Sequence, residues 1–164
     1  MNNIRICLEE GRPTILAIVN DAAHLYRGVI PDDGWHEPYM SIGELNRELE
    51  AGVAFWGYAR DQALIGVMGT QPVGDVDLIR HAYVLPGNQR GGVGSALISE
   101  LRLRSNRRML VGTWATATWA IRFYQRHGFV LVSAERKTEL LKTYWRISDR
   151  QIETSVVLES SRRS

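Results

Sequence analysis

The sequence predicts an α/β domain with helices packed against a mixed sheet, and three observations carry that reading. β-branched and aromatic runs alternate with runs of helical periodicity along the whole chain. The strand-like runs "VAFWGYAR" and "ALIGVMGT" are joined through Asp61-Gln62, a hairpin signal that implies an antiparallel pair. Later strand-like runs are separated by helical ones, and a helical crossover implies a parallel pair. At 164 residues the chain holds one domain with a proper core. Residues 1–158 are expected to form that domain, with 159–164 a frayed tail.

The elements follow in order. Cys7 falls in a first strand and reads as a core residue. Pro13 suits the first turn of a helix that carries Ile15, Ile18, Val19, Ala22 and Leu25 at helical spacing. After the loop "RGVIPDDGWHEPYM", Ser41 and Glu44 form a capping box that opens a second helix with Leu45 and Leu49. The hairpin comes next, then a third strand of the meander, "DVDLIRHAYV". The stretch "NQRGGVGS" leads into a helix with Val93, Ala96, Leu97 and Leu101 on one stripe. "RMLVGT" is a short strand, and "TWAIRFYQRHG" a helix stopped by Gly128. "FVLVSAERK" and "QIETSVVLE" read as closing strands around "ELLKTYWRISD".

Composition narrows the function. The chain is 45% apolar and 23% charged, with net charge +2 and one cysteine. No apolar run approaches the roughly 18 residues that span a bilayer. The first residues lack the layout of a signal peptide, and no internal disulfide or cysteine cluster for zinc can form, so a cytoplasmic protein without a metal is expected. Residues 1–100 hold 7 Lys/Arg against 13 Asp/Glu, and residues 101–150 hold 11 against 3. The basic run "RLRSNRR" has no nucleic-acid recognition motif beside it.

The glycines at 91, 92 and 94 stand where a strand hands over to a helix. Such a corner offers free N–H groups and the positive end of a helix dipole, so it suits a phosphate. It is not a P-loop, because Val93 stands where Lys is required, nor a Rossmann turn, because Leu97 stands where the third glycine is required. His36-Glu37 likewise fails as a zinc-protease motif, since Met40 replaces its second histidine.

What the corner does match is Gln-x-x-Gly-x-Gly, with Gln89, Gly92 and Gly94. This resembles the pyrophosphate-binding motif of the GNAT acetyltransferases. A second run, Ala120 to Phe129, is similar to that family's Ala-x-x-Phe-Tyr-x-x-x-Gly-Phe. The resemblance covers most of the chain and implies the family fold, a mixed, mostly antiparallel central sheet flanked by helices. It also implies an N-acetyltransferase that moves an acetyl group from acetyl-CoA to a primary amine by direct attack in a ternary complex, and family habit adds a homodimer. By that resemblance Gln89, Arg90, Gly91, Gly92, Val93, Gly94, Ser95 and Phe123 hold the cofactor. The strand edge Tyr83–Leu85 pairs with its pantetheine arm, and an N–H near Val84 polarises the thioester.

The family's general acid falls on Tyr124, a phenol that stays protonated at neutral pH. For the base, the third meander strand offers His81 first and Asp77 second, which strict alternation places on one face with Tyr83. The loops that shape the acceptor site in the family bring Tyr26, Trp35, Glu37, Tyr39 and Tyr144, a set suited to a cationic amine with an apolar body. A small-molecule acceptor is the first expectation. A peptide or protein N-terminus, a lysine, and a non-catalytic CoA-binding module are the alternatives. The Asn that often opens the family's second-motif helix is absent, leaving Thr116 and Thr118 as caps.

Overall fold

The computed structural model describes residues 3–89 and 91–160. The chain begins with β1 (Ile4–Ile6), α1 (Arg12–Ala22) and α2 (Ile42–Glu50). A meander follows: β2 (Ala54–Arg60), β3 (Ala63–Val73) and β4 (Val76–Val84). Then come α3 (Val93–Arg104), β5 (Arg108–Trp114), α4 (Thr118–Arg126), β6 (Val130–Leu131), α5 (Ala134–Tyr144), α6 (Asp149–Glu153) and β7 (Ser155–Ser160). The strands form one seven-stranded sheet in the order β1-β2-β3-β4-β5-β7-β6. All its neighbours are antiparallel except β4 and β5, which the α3 crossover makes parallel. This is the mixed, mostly antiparallel sheet that the sequence implied.

Local chemistry accounts for most boundaries. Pro13 sits in the first turn of α1, where its missing N–H costs nothing. Asp61 and Gln62 both take positive φ, 52° and 70°, as a tight two-residue hairpin demands. The Ser41 hydroxyl accepts from Glu44 N–H and caps α2, but it also donates to the Glu44 carboxylate, so the reciprocal half of the box is not made. The complete box lies at Ser148 and Gln151 and opens α6.

Five expectations are corrected here. "SAERK" is not strand: Ser133 caps α5, whose Leu140 and Leu141 are buried, and the strand before it has only two residues. The start of "QIETSVVLE" is α6, and β7 begins only at Ser155. β7 continues through Ser160, which pairs with Met109, so the ordered domain runs past residue 158. Leu25 is 47% exposed in a 3-10 turn and has left the stripe of α1. Cys7 lies one residue beyond β1, half-buried against the α1–α2 side.

Helices cover both faces of the sheet. On one face α3 and α4 bury Met68, Ile79, Leu97, Ile98 and Val111. On the other, α1 and α2 enclose Ile18, Leu45, Phe55 and Val67, while α5 and α6 enclose Leu78, Leu110, Leu141 and Val157. Burying each such side chain stabilises by roughly 1.5–3 kcal/mol. No helix among the described residues is long and apolar enough to cross a membrane.

Candidate active site

The parallel ladder between β4 and β5 stops at Ile79 and Val111. β4 runs on to Val84 beside β3, and β5 runs on to Trp114 beside β7. The two strands therefore part, and the edge of β4 from Arg80 to Val84 has no strand partner on that side among the described residues. The gap is part of a cavity of about 920 Å³ that passes from the α3–α4 face to the opposite face of the sheet. Unpaired N–H and C=O groups on such an edge are a template for an extended ligand with amides.

At one mouth stands the glycine corner. Gly92 has φ +78° and is the N-cap of α3, a conformation that strains any residue with a Cβ. A Cβ on Gly92 would meet open space, which leaves room for a ligand directly before the helix. The first N–H groups of α3, on Val93, Gly94 and Ser95, have no acceptor within the helix. Gly94 serves a different purpose, since a Cβ there would press on the Phe123 ring at 3.3 Å. Tyr83, Val84, Gln89, Gly92, Gly94, Ser95 and Phe123 line the cavity. Leu85, Gly91 and Val93 do not: Leu85 pairs back to Ile65, Gly91 closes a turn to Asn88, and Val93 is fully buried in the core. Of these three only a main-chain contact is available to a ligand. Gln89 donates to the Val84 carbonyl at 3.3 Å and so ties the loop to the strand end. Arg90 lies outside the described residues. The sequence reading missed two cations: Arg126 lines the cavity, and Arg60 reaches the loop through Asn88 at 3.3 Å.

α4 holds the phenol. Gly128, at φ +87°, ends the helix; a Cβ there would meet the Arg102 guanidinium at 2.8 Å, and Arg102 donates to the His127 carbonyl at 2.5 Å. Phe129 then turns inward to 2% exposure and meets the Tyr124 ring edge-on at 5.7 Å. Tyr124 also meets Phe123 at 5.1 Å. Its ring lines the cavity, and its hydroxyl has no hydrogen-bond partner among the described residues. Burial, with Tyr26 adding to it, pushes this phenol far above its usual range, so it remains a proton donor. Neither Thr116 nor Thr118 caps α4; the N-cap is Ala117 with no side-chain bond. Ser95 on α3 and His127 meet at 3.0 Å and lock the two helices together. Burial, then Arg126 and Arg102, hold His127 below its usual pKa, hence neutral near pH 7.

β4 departs from strict alternation. Its register against β3 shifts by one residue between Arg80 and Tyr83, and His81 sits at φ +56°. The bulge puts Arg80 and His81 on the same face in succession, where both reach Glu48 of α2, at 2.9 and 3.0 Å. His81 keeps company with Tyr83 on that face but not with Asp77. Asp77 binds Ser105 at 2.6 Å and Arg107 at 3.1 Å, beyond the far end of α3. It is seven residues from Val84, about 23 Å along a strand. Its two partners give it a structural post, and it does not line the cavity.

The acceptor candidates divide. Tyr26 and Tyr39 line the cavity together with Trp114, Trp119, Trp145 and Ile147. Trp114 donates to the Tyr39 hydroxyl at 2.9 Å, and Tyr26 stacks on Trp119 at 5.8 Å. Burial, then Tyr39, push the Tyr26 phenol up to about 12. Trp35 stacks behind Tyr39 at 5.6 Å without lining the cavity. Glu37 is exposed and pairs with Arg27, and Tyr144 is turned away to Asp75 at 2.5 Å. The lining among the described residues contains no carboxylate. Asp33 is held away from the cavity lining: Arg150 of α6 binds it at 2.9 and 3.3 Å, tying the loop before α2 to α6.

Comparisons with known proteins agree with this geometry. A family model described as an acetyltransferase (GNAT) domain matches residues 51–131, which take in the meander, the glycine corner and α4. The fold is similar to that of the PaiA N-acetyltransferase from Thermoplasma acidophilum in complex with coenzyme A, at 16% identity over 96% of this chain and 97% of that one, TM-score 0.72. It is similar to a GNAT family acetyltransferase from Elizabethkingia anophelis with acetyl-CoA bound, at 19% identity over 98% and 99%, TM-score 0.65. A ribosomal-protein-alanine N-acetyltransferase from Brucella melitensis shares 22% identity over 79% of this chain and 85% of that one, TM-score 0.59. No protein in the curated comparison matches the chain.

Proposed function

The chain is a GNAT-family acetyltransferase by its domain over residues 51–131, and on that premise we propose that it moves the acetyl group of acetyl-CoA to the primary amine of a small molecule. One observation carries the reading: a single cavity joins an anion-ready glycine corner to an aromatic chamber through the gap between β4 and β5. The diphosphate of the donor meets the N–H groups at the start of α3, with Arg126 and Arg60 adding charge. The pantetheine amides pair with the edge of β4. The thioester carbonyl then faces a main-chain N–H near Val84, and the amine enters from the aromatic side.

The reaction needs a neutral amine, attack on the acetyl carbon, and a proton for the departing thiolate. Tyr124 supplies that proton from a hydroxyl committed to no other partner. His81 takes the surplus proton of the amine, directly or through water. The acceptor's chamber is aromatic and without carboxylates, so it favours an amine with an apolar body over a second positive charge. The Trp114–Tyr39 hydrogen bond holds two of the chamber's aromatic walls in place, and walls of this kind suit a small molecule with an apolar body. A cytoplasmic enzyme fits this supply of donor. The test is a thiol-release screen with acetyl-CoA against aromatic amines, amino acids, polyamines and short peptides. Turnover on a small aromatic or apolar amine is expected; turnover confined to peptides would overturn the acceptor assignment.

A further inference from the structure

We infer that Glu48, on α2 and outside the cavity, is the residue that positions His81 as proton acceptor for the attacking amine. The inference rests on the reading of His81 as the base given above. Three features carry it. The bulge in β4 holds His81 at φ +56°, where a residue with a Cβ is rare, and such conformations persist where the surroundings impose them. The imidazole stacks on Phe55 at 6.0 Å and 25°, which fixes its plane. Within that plane Nε2 lies 3.0 Å from Glu48 Oε2. A carboxylate only accepts, so Nε2 carries the proton and donates it. The lone pair is thereby assigned to Nδ1, on a ring that lines the cavity.

Glu48 is itself held. Its Oε2 also accepts from Arg80 Nη2 at 2.9 Å, and Arg80 is anchored through Nη1 to Gln71 at 2.8 Å. Burial pushes the Glu48 carboxyl up, but His81 and Arg80 outweigh it and leave it below its usual range, ionised at working pH. The charged groups that meet the imidazole are thus Glu48 from α2 and Arg80 from β4, while β2 contributes the apolar Phe55. The phenols of Tyr26, Tyr39 and Tyr83 share the cavity, and burial, first among the causes for each, keeps all three neutral.

The step balances. The amine nitrogen bonds to the acetyl carbon, the carbon–sulfur bond breaks, and the thiolate takes the Tyr124 proton. The surplus proton of the amine goes to His81 Nδ1, and Glu48 stabilises the imidazolium that forms. Solvent exchange then returns both groups to their starting states.

The test is the pH profile of kcat/KM and kcat with one acceptor amine throughout, for the wild type, His81→Asn, Glu48→Gln and Glu48→Asp. Asparagine is chosen because it tolerates positive φ. His81→Asn should lower kcat about 100-fold, in the range of a general base, with coenzyme affinity unchanged. Glu48→Gln should lower kcat and move the acidic limb to lower pH, and Glu48→Asp should restore the limb in part. If His81→Asn keeps full kcat, the base assignment falls and this inference with it. If His81→Asn is slow while Glu48→Gln keeps the wild-type limb and rate, Glu48 is structural only and this inference falls alone. Nitrogen NMR of His81 in the unmutated protein needs no variant to fold. A proton on Nε2 is expected, and a proton on Nδ1 would overturn the inference.

Discussion

At Tyr124 a phenol whose ring is buried and whose hydroxyl has no partner among the described residues lines the cavity, free to donate to a ligand there. Tyr124→Phe removes only the hydroxyl. Coenzyme affinity measured by calorimetry should be unchanged, while single-turnover acetyl transfer should slow by about 100-fold or more. Glu48 makes a second prediction, about stability. Its folded pKa lies below its ordinary value of 4.5, so its ionised form stabilises the fold above that pH, and the contribution is lost as pH falls through the folded pKa. Denaturant midpoints of wild type and Glu48→Gln should therefore differ at about pH 7 and converge at about pH 3. At this scale the sequence was partly legible. Tyr124, Gly92 and Gly94 lie in motifs with fixed spacing. Glu48, Arg60 and Trp114 carry no local signal, because each reaches the site from another element through the fold. Asp77 misled because alternation assumes a regular strand, and the bulge at His81 breaks it.

Among elements, the proposed binding of the donor turns on the junction of β4 and α3. Gly92→Glu adds a Cβ at φ +78° and sets a carboxylate beside the helix start, against both backbone geometry and charge. Calorimetry should find no binding of acetyl-CoA, whereas Gly92→Ala, strained but uncharged, should bind more weakly and not be silent. Helices α1 to α4 were legible in the sequence because apolar spacing and breakers coincide there. α5 and α6 were not, since "SAERK" has little apolar periodicity and the run after Ser148 looks β-branched. Their signals were the capping serines at 133 and 148, weak features that count only when a helix can bury Leu140, Leu141 and Ile152 against the sheet.

Over the whole molecule, the parting of β4 and β5 opens the core to a ligand on both faces of the sheet. A donor lodged there would join α3, α4 and the β4 edge, so coenzyme should raise the unfolding temperature. At a coenzyme concentration near 100 times Kd the gain is about 2.7 kcal/mol, readable by scanning calorimetry, and an unmoved transition would contradict a preformed site. The hairpin and crossover pattern made the mixed sheet legible. The gap was not, because it depends on where a ladder stops, and both strands look regular in sequence. The most direct measurement is a crystal structure with coenzyme A bound. The diphosphate should lie about 2.7–3.2 Å from main-chain N–H groups between Gly92 and Ser95, with the pantetheine along Arg80–Val84. Coenzyme bound elsewhere, with that corner filled by the protein's own side chains, would contradict the account.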